Sequence, residues 1–133
     1  MNTNYSGKAQ AAIDEFKKGA DFVFIHVEAP DECSHNGDLD GKLKSIEYID
    51  EKVFKPVLQY LRSAKEPYRI LVVSDHKTPV ETRNHNGEPV PFVLFDSESN
   101  MPPEGWKTFT ESAAERGMFF ESGCDLADYF FKT

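Results

Sequence analysis

The chain has 133 residues, a mass of 15.1 kDa, a net charge of −8 at pH 7 and a pI near 4.9; this suits a single domain over 1–133 and is hard to divide into two. A chain of this length buries roughly 70% of its unfolded surface, so it needs no disulfide staple to build a core. No run of Lys or Arg exceeds two residues, which excludes nucleic acid and an anionic membrane as principal partners, though not a small phosphate beside a divalent ion that reverses the local sign.

Residues 6–19, SGKAQAAIDEFKKG, place Ala9, Ala12, Ile13 and Phe16 at three- and four-residue steps. That spacing predicts an amphipathic helix stopped by Gly19. The same start has no apolar stretch after its charges, so no signal peptide is expected. The next run, ADFVFIHV over 20–27, is short, aromatic and β-branched, and reads as a buried strand of a parallel sheet. His26 inside it is expected to be a hydrogen-bonded core histidine. A polar loop containing Asn36-Gly37 follows.

From Asp38, the positions Leu39, Leu43, Ile46, Ile49, Val53, Val57, Leu58 and Leu61 recur at helical spacing, and Pro56 is expected to kink or split that helix. YRILVVSDH over 68–76 predicts a second buried strand and PVPFVLFD over 89–96 a third, its prolines confined to the first residues. SESNMPPEGWKT after Asp96 reads as a turn-rich loop, and DLADYFFK over 125–132 as a short closing helix capped by Asp125. No stretch approaches the ~20 apolar residues that cross a bilayer. Cys33 and Cys124 are far apart and outside any CxxC pattern, as expected of thiols in a reducing compartment, so the cytoplasm is the default location. The order of elements points to an α/β layer fold.

In such sheets ligands gather beyond the carboxyl ends of the strands. Asp31 and His35 follow the first predicted strand, Asp75 and His76 end the second, and His85 precedes the third; three of the chain's four histidines are in this set. Carboxylate and imidazole together suit Mn²⁺, Zn²⁺, Co²⁺ or Fe²⁺. On a helical turn the i,i+4 pair Asp31 and His35 faces one way and can hold one ion. Adjacent Asp75 and His76 in an extended strand point apart, so either the strand breaks there and they converge, or they serve different ions. The ordinary alternative for each group by itself is a solvated loop, a turn or a cap. Cys33 lies opposite the Asp31/His35 face and is expected to be a bystander, and Lys77 a solvated loop lysine.

DFVFIHVEAPDECSHNGD, ILVVSDHKTP and HNGEPVPFVLF, in that order, resemble the last third of cofactor-independent phosphoglycerate mutases of the archaeal-type branch, members of the alkaline phosphatase superfamily. The opening TNYSGKAQAAIDEF is similar to the helix that precedes this block in that family, so the resemblance runs from about Asn2 to Phe95. It implies an alkaline-phosphatase-like, mostly parallel sheet flanked by helices, of which this chain holds the C-terminal part. It also implies a two-metal site, with Mn²⁺ or Zn²⁺, that moves a phosphoryl group through a phosphoserine, turning 3-phosphoglycerate into 2-phosphoglycerate. By the resemblance Asp31, His35 and His85 bind one ion and Asp75 and His76 help bind the second. The family's remaining aspartate, its nucleophilic serine and its cap domain have no counterpart here, as if the sequence had been truncated at a chosen boundary. Ser34, Ser45 and Ser74 are rejected as substitutes. The expectation is thus a metal-binding segment, inactive in isolation, holding at most one ion well; its partner in the full-length protein is a small phosphorylated substrate. Two alternatives remain: a related phosphatase or phosphotransferase, or a non-catalytic binding module that keeps the fold.

Overall fold

The computed structural model describes residues 3–99 and 108–132. They fall into two compact units: Met1–Glu66 with Thr78–Asn86, and Pro67–Lys77 with Gly87–Thr133.

The first unit begins with α1, Tyr5–Lys17. Asn4 caps it, accepting from the Gly7 amide at 2.9 Å, which satisfies one of the unpaired N–H groups of the first turn. A side chain at residue 7 would collide with that cap, since a Cβ there would lie 2.2 Å from Asn4 Nδ2. Gly19, at φ +94°, ends the helix in a conformation that costs glycine little. The predicted face is the one turned inward: Ala9 and Ala12 are buried and Ile13 and Phe16 half-buried.

Residues 22–28 form neither helix nor ladder among the described residues. The expected buried strand is therefore corrected to an irregular segment of alternating exposure. Val23, Ile25 and Val27 are half-buried, while Phe22 and Phe24 are 50% and 74% exposed. An apolar run specifies a strand only together with a neighbour to pair with, because a ladder is made between two segments. His26 is corrected too: it is exposed, stacks on Phe24 with centroids 6.1 Å apart, and lies 3.6 Å from Glu28.

The polar loop expected next contains α2, Ala29–His35. Pro30 presets the first turn, and Asp31 and Glu32 sit where the helix dipole favours acids. Gly37 at φ +71° closes it. α3, Leu39–Ile49, is capped by Asp38 through the Gly41 amide. A π-helical turn, Asp50–Phe54, joins α3 to α4, Lys55–Ala64. The long helix expected from Asp38 is thus split into two α-helices ahead of Pro56, by a π-helical turn rather than by a break in the helix. The bonding widens by one residue just ahead of the proline, where an α-helical ladder would lack a donor and push the ring against the carbonyl four residues back.

The core of this unit is Tyr5, Ala9, Ala29 and Val53, with Ile25, Val27, Tyr48, Ile49 and Val57 packed around it. Ser45, fully buried, donates to the Lys42 carbonyl at 2.7 Å. Leu39, Leu43 and Ile46, expected on the inner face of the helix, are exposed instead, because α3 turns its Ser45–Tyr48–Ile49 side to the core. The returning stretch Thr78–Asn86 completes the unit and brings His85 to α2.

The second unit carries β1, Arg69–Val73, and β2, Phe92–Asp96, paired antiparallel from Arg69 opposite Asp96 to Val73 opposite Phe92. This corrects the sequence expectation on two points. The sheet of the described residues is antiparallel rather than parallel, and its strands are only partly buried, with Val73, Val93 and Phe95 exposed. Arg69 ties the sheet to the chain end: it bonds Asp96 at 2.7 Å and donates to the carbonyls of Phe130 and Lys132. α5, Glu111–Ala114, is short and capped by Thr110. α6, Gly123–Phe131, is capped not by Asp125 but by Ser122, whose hydroxyl accepts from the Asp125 amide and donates to the Asp125 carboxylate. Phe120 packs between Phe92 and Tyr129, at 5.6 and 5.4 Å. The loop expected after Asp96 falls in large part on 100–107, outside the described residues. No helix of the described residues is long and apolar enough to cross a membrane.

Candidate metal centre

The helical form of 29–35 decides what Asp31 and His35 can do. Four residues apart on one helix, they stand on the same face, with His35 Nε2 3.3 Å from Asp31 Oδ2. Cys33 and Ser34 turn inward from that face. The Ser34 hydroxyl donates to the Pro30 carbonyl at 2.8 Å. Burial pushes the Cys33 thiol above its ordinary range, with the nearby Asp38 charge adding to the effect, so it stays protonated at neutral pH and is a poor metal ligand.

His85 arrives from the returning stretch. Its Nε2 lies 3.4 Å from Asp31 Oδ1 and 3.1 Å from His35 Nε2. Two imidazole nitrogens and one carboxylate thus converge from two separate segments of one unit. Donors about 2.0–2.1 Å from a single tetrahedral ion stand roughly 3.3–3.4 Å apart; the two imidazole nitrogens here are 3.1 Å apart, and each lies 3.3–3.4 Å from a different oxygen of Asp31, His35 by Oδ2 and His85 by Oδ1. Both the donor types and their spacing fit a borderline divalent ion with open positions for water or substrate.

The outer contacts set the orientation of the ligands. His35 Nδ1 is 2.7 Å from the Arg83 carbonyl, which can only accept. Nδ1 therefore carries the proton, and in the neutral ring Nε2 presents its lone pair toward His85. A metal-binding histidine is commonly fixed in this way. Arg83 adopts φ +56°, and its guanidinium lies over the Cα of Gly37, where a Cβ would be 2.6 Å from Nη2. Thr78, 6% exposed, donates to Asp31 Oδ1 at 2.6 Å, and its own carbonyl accepts from Lys42 Nζ at 2.9 Å. Thr78, Lys42 and the Arg83 carbonyl were not singled out from the sequence. The available signal was the Thr-Pro step directly after the Asp-His-Lys run, an ordinary turn signature that reports nothing about which side chain it will meet.

Asp75 and His76 belong to the second unit. β1 ends at Val73, and the chain bends at 75–76. Extended geometry is lost there, so the two side chains converge, with His76 Nε2 3.5 Å from Asp75 Oδ2. The His76 amide also donates to Asp75 Oδ1 at 3.1 Å. Lys77 pairs with Glu88 at 3.0 Å rather than lying solvated. The structure therefore brings Asp31, His35 and His85 together in one unit and pairs Asp75 with His76 in the other.

Comparison with known proteins agrees with that donor chemistry. The chain is 42% identical to the 2,3-bisphosphoglycerate-independent phosphoglycerate mutase of Methanosarcina barkeri over 88% of its own length and 29% of the relative's. It is 40% identical to the same-named protein of Methanosarcina acetivorans over its full length and 33% of the relative's. A probable 2,3-bisphosphoglycerate-independent phosphoglycerate mutase of Geobacter sulfurreducens is 41% identical over 96% of the chain and 32% of its own length. The chain thus spans about a third of these curated relatives. No solved structure gives a significant match. Residues 1–130 match the family described as Metalloenzyme superfamily, and the α/β chain belongs to that family.

Proposed function

We propose that this chain is the metal-binding C-terminal part of a phosphoglycerate mutase, interconverting 3-phosphoglycerate and 2-phosphoglycerate in glycolysis in the cytoplasm. The observation that carries this reading is the convergence of Asp31, His35 and His85 at 3.1–3.4 Å, in a chain whose relatives bear that enzyme's name. Residues 1–133 form one partial alkaline-phosphatase-like domain. Asp31, His35 and His85 hold one divalent ion, Mn²⁺ or Zn²⁺, and Asp75 and His76 contribute to a second. Bound ions of this kind lower the pKa of a coordinated hydroxyl and offset the charge on phosphoryl oxygens.

The chain's own residues orient these ligands: the Arg83 carbonyl keeps the His35 proton on Nδ1, and the bend after β1 turns Asp75 and His76 toward each other. None of Ser34, Ser45 and Ser74 is suited to act as the nucleophile. Ser34 and Ser45 are fully buried with their hydroxyls donating to helix carbonyls, and Ser74 directly follows strand β1. The chain in isolation accordingly binds metal but does not turn over 3-phosphoglycerate; the small phosphorylated substrate is handled by the full-length protein, and neither nucleic acid nor membrane is a partner.

The test is calorimetric titration with Mn²⁺ and Zn²⁺, with a coupled assay on 3-phosphoglycerate. Wild-type chain should bind one ion well and show no turnover above background. Asp31→Ala should weaken binding by at least about 100-fold, since it removes the only carboxylate of the trio and the loss of an outer partner alone can reach that size. Unchanged binding by the variant would end the assignment.

A further inference from the structure

We infer that Thr78 is a positioning residue for the metal centre: its hydroxyl holds Asp31 Oδ1 and so keeps the carboxylate turned toward the His35 and His85 imidazoles. This rests on the assignment of Asp31, His35 and His85 as ligands and adds a residue that ligand spacing does not reveal. Thr78 is 6% exposed, and its hydroxyl lies 2.6 Å from Asp31 Oδ1, a short bond of the kind a charged acceptor makes. Asp31 Oδ2 lies 3.3 Å from His35 Nε2 and Oδ1 3.4 Å from His85 Nε2. A carboxylate with one oxygen held in this way is restrained from rotating out of line with the two imidazoles, which fixes the direction of its lone pairs at the ion.

The anchoring of Thr78 supports the same role. Its carbonyl accepts from Lys42 Nζ at 2.9 Å, which ties the start of the returning stretch to α3. The end of that stretch presents His85 to Asp31 at 3.4 Å. Thr78 therefore steadies both an Asp31 oxygen and the segment that delivers the third ligand. Outer partners of this kind are worth roughly 10- to 100-fold in metal affinity.

The experiment compares wild type, Thr78→Val, Thr78→Ser and Lys42→Met in the full 133-residue chain, with two readouts: Zn²⁺ affinity by calorimetry, and the visible absorption of the Co²⁺-loaded protein. Thr78→Val, nearly isosteric but without the hydroxyl, should lose roughly 10- to 100-fold in affinity. It should also show shifted Co²⁺ bands as the released carboxylate changes the ligand geometry at the ion. Thr78→Ser should restore both, and a residue needed only for packing would not produce that spectral change and rescue. Lys42→Met, which keeps the hydroxyl, should show a smaller loss and keeps the inference open to refutation should Thr78→Val fail to fold. Wild-type affinity and spectrum in Thr78→Val, or a Lys42→Met variant with unchanged affinity when Thr78→Val does not fold, would overturn the role of Thr78 while leaving the ligand assignment intact. A wild-type chain that binds no ion would overturn the ligand assignment and this inference together.

Discussion

Two groups of candidate ligands in this protein, built from the same residue types, differ in what their surroundings supply. Asp31 and His35 are placed by a helix and joined by His85 from a distant segment, and an outer layer of Thr78 and the Arg83 carbonyl fixes their orientation. Asp75 and His76 are neighbours at a bend, touching each other and bonded through the His76 amide. Three convergent donors with fixed outer contacts are enough to hold an ion with open positions; a pair of adjacent residues within one unit is not. The difference shows that ligand type is a weak guide by itself. What separates a site from a pair of polar residues is how many independent segments meet there and what restrains them.

The largest expected effect contrasts the two groups directly. His85→Ala should reduce Zn²⁺ affinity by about 100-fold, or ~2.7 kcal/mol, in calorimetric titration of the isolated chain. Asp75→Ala should change the same tight binding event by less than about 2-fold, a few tenths of a kcal/mol. Equal losses in the two variants would erase the distinction between the groups.

A second, intermediate effect concerns what holds the unit that carries Asp75 and His76. Arg69 donates to Asp96 and to two carbonyls at the chain end. Arg69→Met keeps much of the side-chain length and removes those donors, and should destabilise that unit by roughly 1.5–3 kcal/mol, the range for bonds to charged groups. Hydrogen exchange should show the loss at β1, β2 and α6. The ion affinity of the Asp31 group should stay unchanged, since no bond of Arg69 reaches it.

The smallest effect is a pH dependence confined to the same unit. The Glu98 amide, and after it the Arg69 side chain, hold the Asp96 carboxyl below the usual carboxylate range. A folded value below the unfolded one of about 3.9 means that the stabilisation is present above that pH. It is lost as the pH falls through the lower folded value. Melting curves from roughly pH 5 down to about pH 2, the span over which such linkage acts, should show this slope in wild type and a shallower one in Asp96→Asn. Identical slopes would remove Asp96 as the source.

Much of the local structure was legible because it depends on nearest neighbours. The three- and four-residue spacing of Ala9, Ala12, Ile13 and Phe16 selects an inner face. The β-branched runs at 69–73 and 92–96 do form strands, and Asp31 and His35 were recognised as a pair that one helical turn would bring together. The seven-residue helix that does so was hidden in a polar run, because Pro30 and the two acids behind it also suit a turn.

Other features depended on partners that local pattern cannot name. ADFVFIHV has the composition of a strand yet pairs with nothing among the described residues, whereas RILVV is zipped to FVLFD. Leu39, Leu43 and Ile46 keep helical spacing and remain exposed, because the core is set by which side of α3 meets Tyr5 and Val53. Whether β1 and β2 run parallel or antiparallel is likewise a property of the pair and of the route between them.

The sequence by itself determined the inward face of α1, the strands at 69–73 and 92–96, and which acids and imidazoles have the chemistry for a divalent ion, since these follow from side-chain type and short-range spacing. Only the tertiary structure decided that His85 meets Asp31 across more than fifty residues of chain, that the Thr78 hydroxyl bonds the carboxylate, and that His35 offers Nε2. The reason is physical: a ligand's identity is a property of one residue, but its direction is fixed by contacts made after the chain has returned on itself.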